Sequence, residues 1–219
     1  MQTPTFLRRL LPGGALAVSL LFGVAGCAWL EIPAESGSVL FQDDFARPSS
    51  GWDRYRDSLY SSDYVSGVFR ISITAPDTNA WATPGVDIGD VRIEVEATKV
   101  SGPDDNVFGI LCRYQDSQNF YFFLISSDGF AGIGIRRAGE TTLLSAMDMT
   151  PSEAILQGSA RNHLRADCLG DQLDLYVNGQ AVAHAVASDW LRGDVGLIAG
   201  TYAEAGVVID FDNFSALQP

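Results

Sequence analysis

Apolar and polar residues alternate one by one over much of this chain, the period of an extended strand with one wet face. Val91-Arg92-Ile93-Glu94-Val95-Glu96-Ala97-Thr98 keeps the alternation almost throughout. Residues 67–73 do so too, with Phe69, Ile71 and Ile73 opposite Val68, Arg70 and Ser72. Asn119 to Ile125 breaks the rule, because Phe120, Tyr121, Phe122, Phe123, Leu124 and Ile125 are all apolar or aromatic. Such a run suits a central strand covered on both faces. Ser127-Asp128-Gly129 then turns the chain into a partner strand from Phe130 to Arg136. Leu173–Val177 and Gln180–Ala183 flank Asn178-Gly179. Asn-Gly between two strands predicts a tight hairpin, since both turn residues must take positive φ. Val195–Ala199 and Val207–Phe214 are expected to form the last pair. Only Pro151–Gln157 offers a short helix, with Ser152-Glu153 as its start signal. Roughly a dozen short strands with hardly any helix predict an all-β fold, a sandwich or a barrel.

The N-terminus follows a different rule. Arg8 and Arg9 lead into an uncharged apolar run, Leu10 to Ala25. That run falls short of the ~20 residues a membrane-spanning helix needs and has the layout of a secretory signal. It ends in Val24-Ala25-Gly26-Cys27, which resembles a bacterial lipobox. The resemblance implies a lipoprotein signal peptide over 1–26, a lipid on Cys27, a tether over 27–38 and a folded domain over 39–219. The expected location is the cell surface or periplasm, lipid-anchored to the membrane. An ordinary cleaved signal and a spanning anchor are the alternatives. The stretch from Ala28 to Ser38 contains Pro33 and Gly37. As a flexible coil it reaches about 18 Å, so the domain is expected close to the lipid surface.

Charge narrows the partners. The chain has 27 acidic and 14 basic residues, a net charge of −13, and only one lysine, Lys99. Loss of the leader with its two arginines takes the balance to −15. Phosphate binding needs a basic face, so nucleic acid is not an expected partner. Contact with a membrane is expected through the lipid anchor alone. Besides Cys27 there are Cys112 and Cys168, an even pair in an oxidising compartment. Both fall on largely apolar strand faces. A disulfide between them is expected; two separate buried thiols acting as small hydrophobes are the other reading.

Several strings occur in a telling order. They are Phe41-Gln42-Asp43-Asp44-Phe45, Ser50-Gly51-Trp52, Leu175-Tyr176-Val177-Asn178-Gly179, Gly193-Asp194-Val195-Gly196-Leu197 and Phe211-Asp212-Asn213-Phe214. Together they resemble the concanavalin A-like lectin/glucanase superfamily, leaning toward the 3-keto-disaccharide hydrolase-related and laminin-G-like modules. The resemblance implies a jelly roll, a two-sheet antiparallel β-sandwich with one concave sheet and paired first and last strands. Its members include glucanases, lectins, carbohydrate-binding modules and protein-binding modules, so the fold leaves function open.

The candidate chemistry follows from these strings. Glucanases of this fold carry Glu, Asp and Glu at alternate positions of one strand; here Glu94-Val95-Glu96-Ala97-Thr98 lacks the third carboxylate. Glu94 and Glu96 therefore read as the wet face of a strand, and no catalytic set is expected. A possible structural calcium would take oxygen ligands from Asp44 and Asp212, with Asp43 and Asp210 nearby if the terminal strands pair; solvent-facing acids are the plainer reading. Sugars present apolar CH faces that stack on flat rings. Trp52, Tyr55, Trp81, Tyr114 and Tyr121, with Arg113 as a polar partner, are the candidate ligand-binding residues, although such rings also fill cores. The expectation is a surface-anchored lipoprotein with a non-catalytic carbohydrate-binding jelly roll whose partner is a glycan or cell-surface polysaccharide. A protein-binding adhesion or assembly module is the alternative, and a glycoside hydrolase a further one.

Overall fold

The computed structural model describes residues 37–219. Cys27, the segment 1–26 read as a signal peptide and most of the stretch read as a tether lie outside the described residues. In chain order the strands are β1 (Val39–Asp43), β2 (Tyr55–Arg56), β3 (Tyr60–Val65), β4 (Val68–Ile73), β5 (Asn79–Ala82), β6 (Val91–Ser101), β7 (Asn106–Asp116) and β8 (Asn119–Ile125). There follow β9 (Phe130–Arg137), β10 (Glu140–Leu143), β11 (Thr150–Pro151), β12 (Arg161–Leu169), β13 (Gln172–Val177), β14 (Gln180–Val186), β15 (Asp194–Thr201) and β16 (Val207–Leu217).

They form two antiparallel sheets. The nine-stranded sheet runs β14-β13-β12-β6-β16-β4-β3-β2, with β1 also paired to β16. The seven-stranded sheet runs β10-β9-β8-β7-β15-β5, with β11 paired to β9. This is the two-sheet jelly-roll sandwich that the alternation and the resemblance predict. The first and last strands pair, with Asp43 opposite Phe214.

Alternation places the core. Val91, Ile93, Val95 and Ala97 of β6 point inward and are fully buried, as are Phe69, Ile71 and Ile73 of β4. From the other sheet come Phe108, Ile110, Tyr121, Phe123, Ile133 and Leu197. The Asn178-Gly179 hairpin is as expected, with φ of 49° and 82° at its two central residues. Two expectations fail. The residues 151–157 form no helix; Pro151 ends β11 and the rest are turn and coil. The last two strands do not pair with each other. β15 lies between β7 and β5 in one sheet, whereas β16 lies between β6 and β4 in the other. The five residues between them cross from sheet to sheet, because each strand is claimed by pairing partners distant in sequence.

Cys112 on β7 and Cys168 on β12 are joined by a disulfide across the two sheets, and both are fully buried. The bond closes a loop with a sequence separation of 56. Cross-linking a loop of this length removes about 4 kcal/mol of unfolded-state freedom. A Cys112→Ala/Cys168→Ala double variant is therefore expected to unfold about 10 °C lower, measured by circular dichroism. Reductant should lower the melting point of the parent and leave that of the variant unchanged.

Candidate functional site

β8 sends alternate side chains to opposite sides of its sheet. Tyr121, Phe123 and Ile125 enter the sandwich core. Phe120, Phe122 and Leu124 form a second apolar cluster on the outer face with Val107, Leu111 and Ile198. Trp81, Tyr114, Leu143 and Met149 pack against this cluster and remain partly exposed. Glycines on the same face make the room. A Cβ on Gly134 would come 2.2 Å from Phe122 Cζ, and one on Gly132 would come 3.1 Å from Met149 Cγ. Side chains thus lie flat over bare backbone, and Phe122 is 4% exposed although no third layer among the described residues covers the sheet.

Two clefts open on this face. The larger, about 330 Å³, includes Asp77, Val107, Leu143, Met149 and Tyr202 in its lining. The smaller, about 50 Å³, includes Trp81, Phe120, Arg136 and Ile198. They share Asn79, Phe122, Leu124 and Thr141, so they are parts of one groove. Asp77 is the only carboxylate residue among the described lining residues.

Rings mark one end of the groove. Phe120 is buried between Trp81, at 5.4 Å between ring centroids, and Tyr114, stacked at 5.6 Å with planes 24° apart. Tyr55 stacks on Tyr60 at 4.6 Å. Burial raises the Tyr60 phenol above its ordinary pKa, with further contributions from Tyr55, Asp57 and Tyr114. Burial likewise raises the Tyr114 phenol, opposed by a hydrogen bond with the Trp81 side chain. Of the candidate residues, Trp81 and Tyr114 thus share one aromatic track over Phe120, whereas Tyr55 stacks on Tyr60 of the other sheet.

Trp52, Arg113 and Tyr121 are not on that track, which corrects the expectation that they contact a ligand. Trp52 is 4% exposed, with its ring 4.9 Å from Phe214 and 5.4 Å from Phe45; it plugs the core. Tyr121 points inward by the period of β8, and its hydroxyl accepts from Asp189 N at 2.9 Å. Arg113 is 1% exposed; its guanidinium donates to Gly170 O, Trp190 O and Asp90 Oδ1 at 2.7, 3.0 and 3.2 Å. A left-handed φ of 52° at Arg113 sits where the β7–β8 pairing shifts register, and the side chain braces three loops from within. Phe120, Asn79, Arg136 and Thr141 were not singled out from sequence. Splitting the run 120–125 by strand period would have found Phe120; the others need the sheet order.

The acidic residues near the termini do not gather as expected for calcium. Asp210 is held by Arg70 through two bonds of 2.6 and 2.7 Å, and Asp212 accepts the Asn213 N–H at 2.8 Å. Both belong to the outer face of β16, alternating with buried Phe211. Among the described residues no three His, Cys, Asp or Glu side chains are grouped to hold a metal. A different set lies close by. Asp43, Asp44, Arg47, Ser50 and Asn213 line a cleft of about 360 Å³. Asp43 is buried, and its Oδ2 has no hydrogen-bond partner. A buried, unpartnered carboxylate oxygen fits a hard cation; Asp43 and Asp44 are the residues that would hold it.

Glu94 and Glu96 lie on the outer face of the nine-stranded sheet. Glu94 faces His163 at 3.5 Å, and Glu96 pairs with Arg161 at 2.7 Å. His184 sits 2.8 Å from Asp174 on the same sheet. None of these groups lines the groove.

No family model matches the chain, and no curated protein matches it. Solved structures share its fold. A carbohydrate-binding module, CBM66 from Bacillus subtilis, superposes with a TM-score of 0.59 at 16% identity, covering 77% of this chain and 96% of its own. A Bacillus subtilis protein of unknown function with a galectin-like fold gives 0.60 at 10% identity, covering 84% and 97%. A Bacillus licheniformis β-glucanase gives 0.57 at 13% identity, covering 84% and 100%. At these identities the likeness is one of fold.

The Asp43 cleft makes a prediction. Millimolar calcium is expected to raise the melting temperature of the parent protein by a few degrees. Asp43→Asn should remove that rise, and differential scanning fluorimetry with and without chelator reads it.

Proposed function

We propose that this protein is a lipoprotein anchored through Cys27, and that its sandwich binds a glycan in the groove of the seven-stranded sheet without cleaving it. The observation that carries the reading is the partly exposed pair Trp81 and Tyr114, held in place over buried Phe120 beside an open cleft. Flat rings of this kind stack on the CH faces of sugars. Asn79 and Thr141, shared by both clefts, supply hydrogen-bonding groups at the rim. A mostly apolar lining with a few polar groups is the usual make-up of a ligand site. Glycoside hydrolysis uses two carboxyl groups about 5–9.5 Å apart, and the described lining offers one, Asp77.

The second reading is a protein-binding module. The apolar stretch of the larger cleft, with Val107, Leu143 and Met149, favours it. The ring pair at the other end favours sugar.

Trp81→Ala and Tyr114→Ala are each expected to weaken retention on immobilised polysaccharide about tenfold, the usual loss when a central ring is truncated. Trp52→Phe, changed inside the core, should alter stability and not retention. Equal retention of parent and Trp81→Ala across a polysaccharide panel would refute the ring-track site. Cys27→Ser is expected to move the protein from the membrane fraction to the soluble one, read by fractionation of expressing cells.

A further inference from the structure

The groove holds one cation. Of the twelve Arg and Lys side chains among the described residues, nine have a carboxylate within ion-pair distance. The other three are Arg47, Arg56 and Arg136. In a chain where acids outnumber bases 27 to 14, an arginine without a carboxylate partner stands out. Arg47 belongs to the Asp43 cleft; Arg136 alone of the three lines the groove.

Its placement is defined by the sheet. Arg136 on β9 sits directly opposite Phe120 on β8 and opposite Thr141 on β10. All three belong to the groove lining, so they form a row across the strands. Neighbours in such a row lie about 5 Å apart. The Trp81 ring is 5.4 Å from Phe120, and Trp81 and Arg136 line the same cleft. Two bonds orient the Arg136 guanidinium: Nε donates to Ser117 O at 3.1 Å, and Nη1 reaches Thr141 Oγ1 at 3.4 Å. Nη2 has no bond among the described residues. This end of the groove is otherwise neutral, lined by Asn79, Trp81, Phe120, Phe122, Thr141 and Ile198 besides Leu124. Asp77 belongs only to the larger cleft.

We infer that the groove selects an acidic glycan, one whose sugars carry a carboxylate, and that Arg136 is the residue that reads the charge. The inference rests on the glycan-binding reading of the same groove. A planar guanidinium meets a carboxylate through paired hydrogen bonds, a geometry that lysine does not reproduce. The overall negative charge slows approach of an acidic polymer, and physiological salt screens that repulsion beyond about 8 Å. Contact at the groove is short-range and is screened less.

The test compares polygalacturonate, alginate and a glucuronan with the carboxyl-reduced form of each, by affinity electrophoresis at 0.15 M salt. At least one acidic polymer is expected to bind about tenfold more tightly than its reduced counterpart, the worth of one charge-assisted contact. In Arg136→Gln that ratio should fall to about one, and Arg136→Lys should restore only part of it. Melting curves on both variants check that the fold is intact. Binding of reduced polymers as tight as their acidic parents overturns the inference and leaves glycan binding standing. An unchanged ratio in Arg136→Gln overturns it as well. Binding of none of the six polymers overturns both the inference and the glycan reading beneath it.

Discussion

Burial of both faces of β8 is the constraint on which the rest depends. A sandwich needs each sheet apolar on one side only. Here the seven-stranded sheet is apolar on both, and among the described residues no helix or third sheet covers the outer one. The solution is local. Glycines strip the outer face of β9 to backbone, and Phe122, Leu143 and Met149 lie down into the space. The face is sealed by its own side chains, except along a groove where the cover is incomplete. Trp81 and Tyr114 stand at one end of that groove because Phe120, buried beneath them, gives them something flat to pack on.

The two outer faces divide the labour of solvation. On the nine-stranded sheet, charged side chains are paired across neighbouring strands: Arg70 with Asp210, Arg92 and Arg165 with Asp167, Arg161 with Glu96. Together these pairs leave few charges on that face free to meet a ligand. The groove of the other sheet is nearly uncharged. Within the described lining, Arg136 and Asp77 are its only charged residues.

Much of the fold was legible because it is written in local periods. The strands around residues 67–73, 91–98 and 119–125 follow from alternation or its absence, and the Asn178-Gly179 hairpin from turn chemistry. Loops and sheet order were less accessible. Trp52 reads as a loop ring among polar neighbours, but Phe214, from the far end of the chain, closes over it. Arg113 reads as a polar group on a strand; a shift of register turns it inward, where its charge is met by loop carbonyls and Asp90. The separation of β15 from β16 depends on which distant strands claim each of them, and spacing along the chain holds no record of that. Of the candidate site, the rings Trp81 and Tyr114 were visible as residue types, and their meeting over Phe120 became visible only once the sheets were ordered. The regrouping of Asp43 and Asp44 apart from Asp210 and Asp212 has the same origin, since strand alternation and an arginine partner fix the second pair elsewhere.

The cross-sheet disulfide has a mechanical meaning. The first strand, β1, hangs on the nine-stranded sheet through β16, whereas the groove belongs to the seven-stranded one. A domain held at its first strand and pulled through a bound polymer carries tension from one sheet to the other, in the direction that would shear the sandwich. Cys112 and Cys168 stitch an inner strand of each sheet to the other by a covalent bond. Under such a load, the sheets would part only after strands peel away from the stitch, so in a domain anchored and bound as proposed the cross-link would guard the grip as much as the fold.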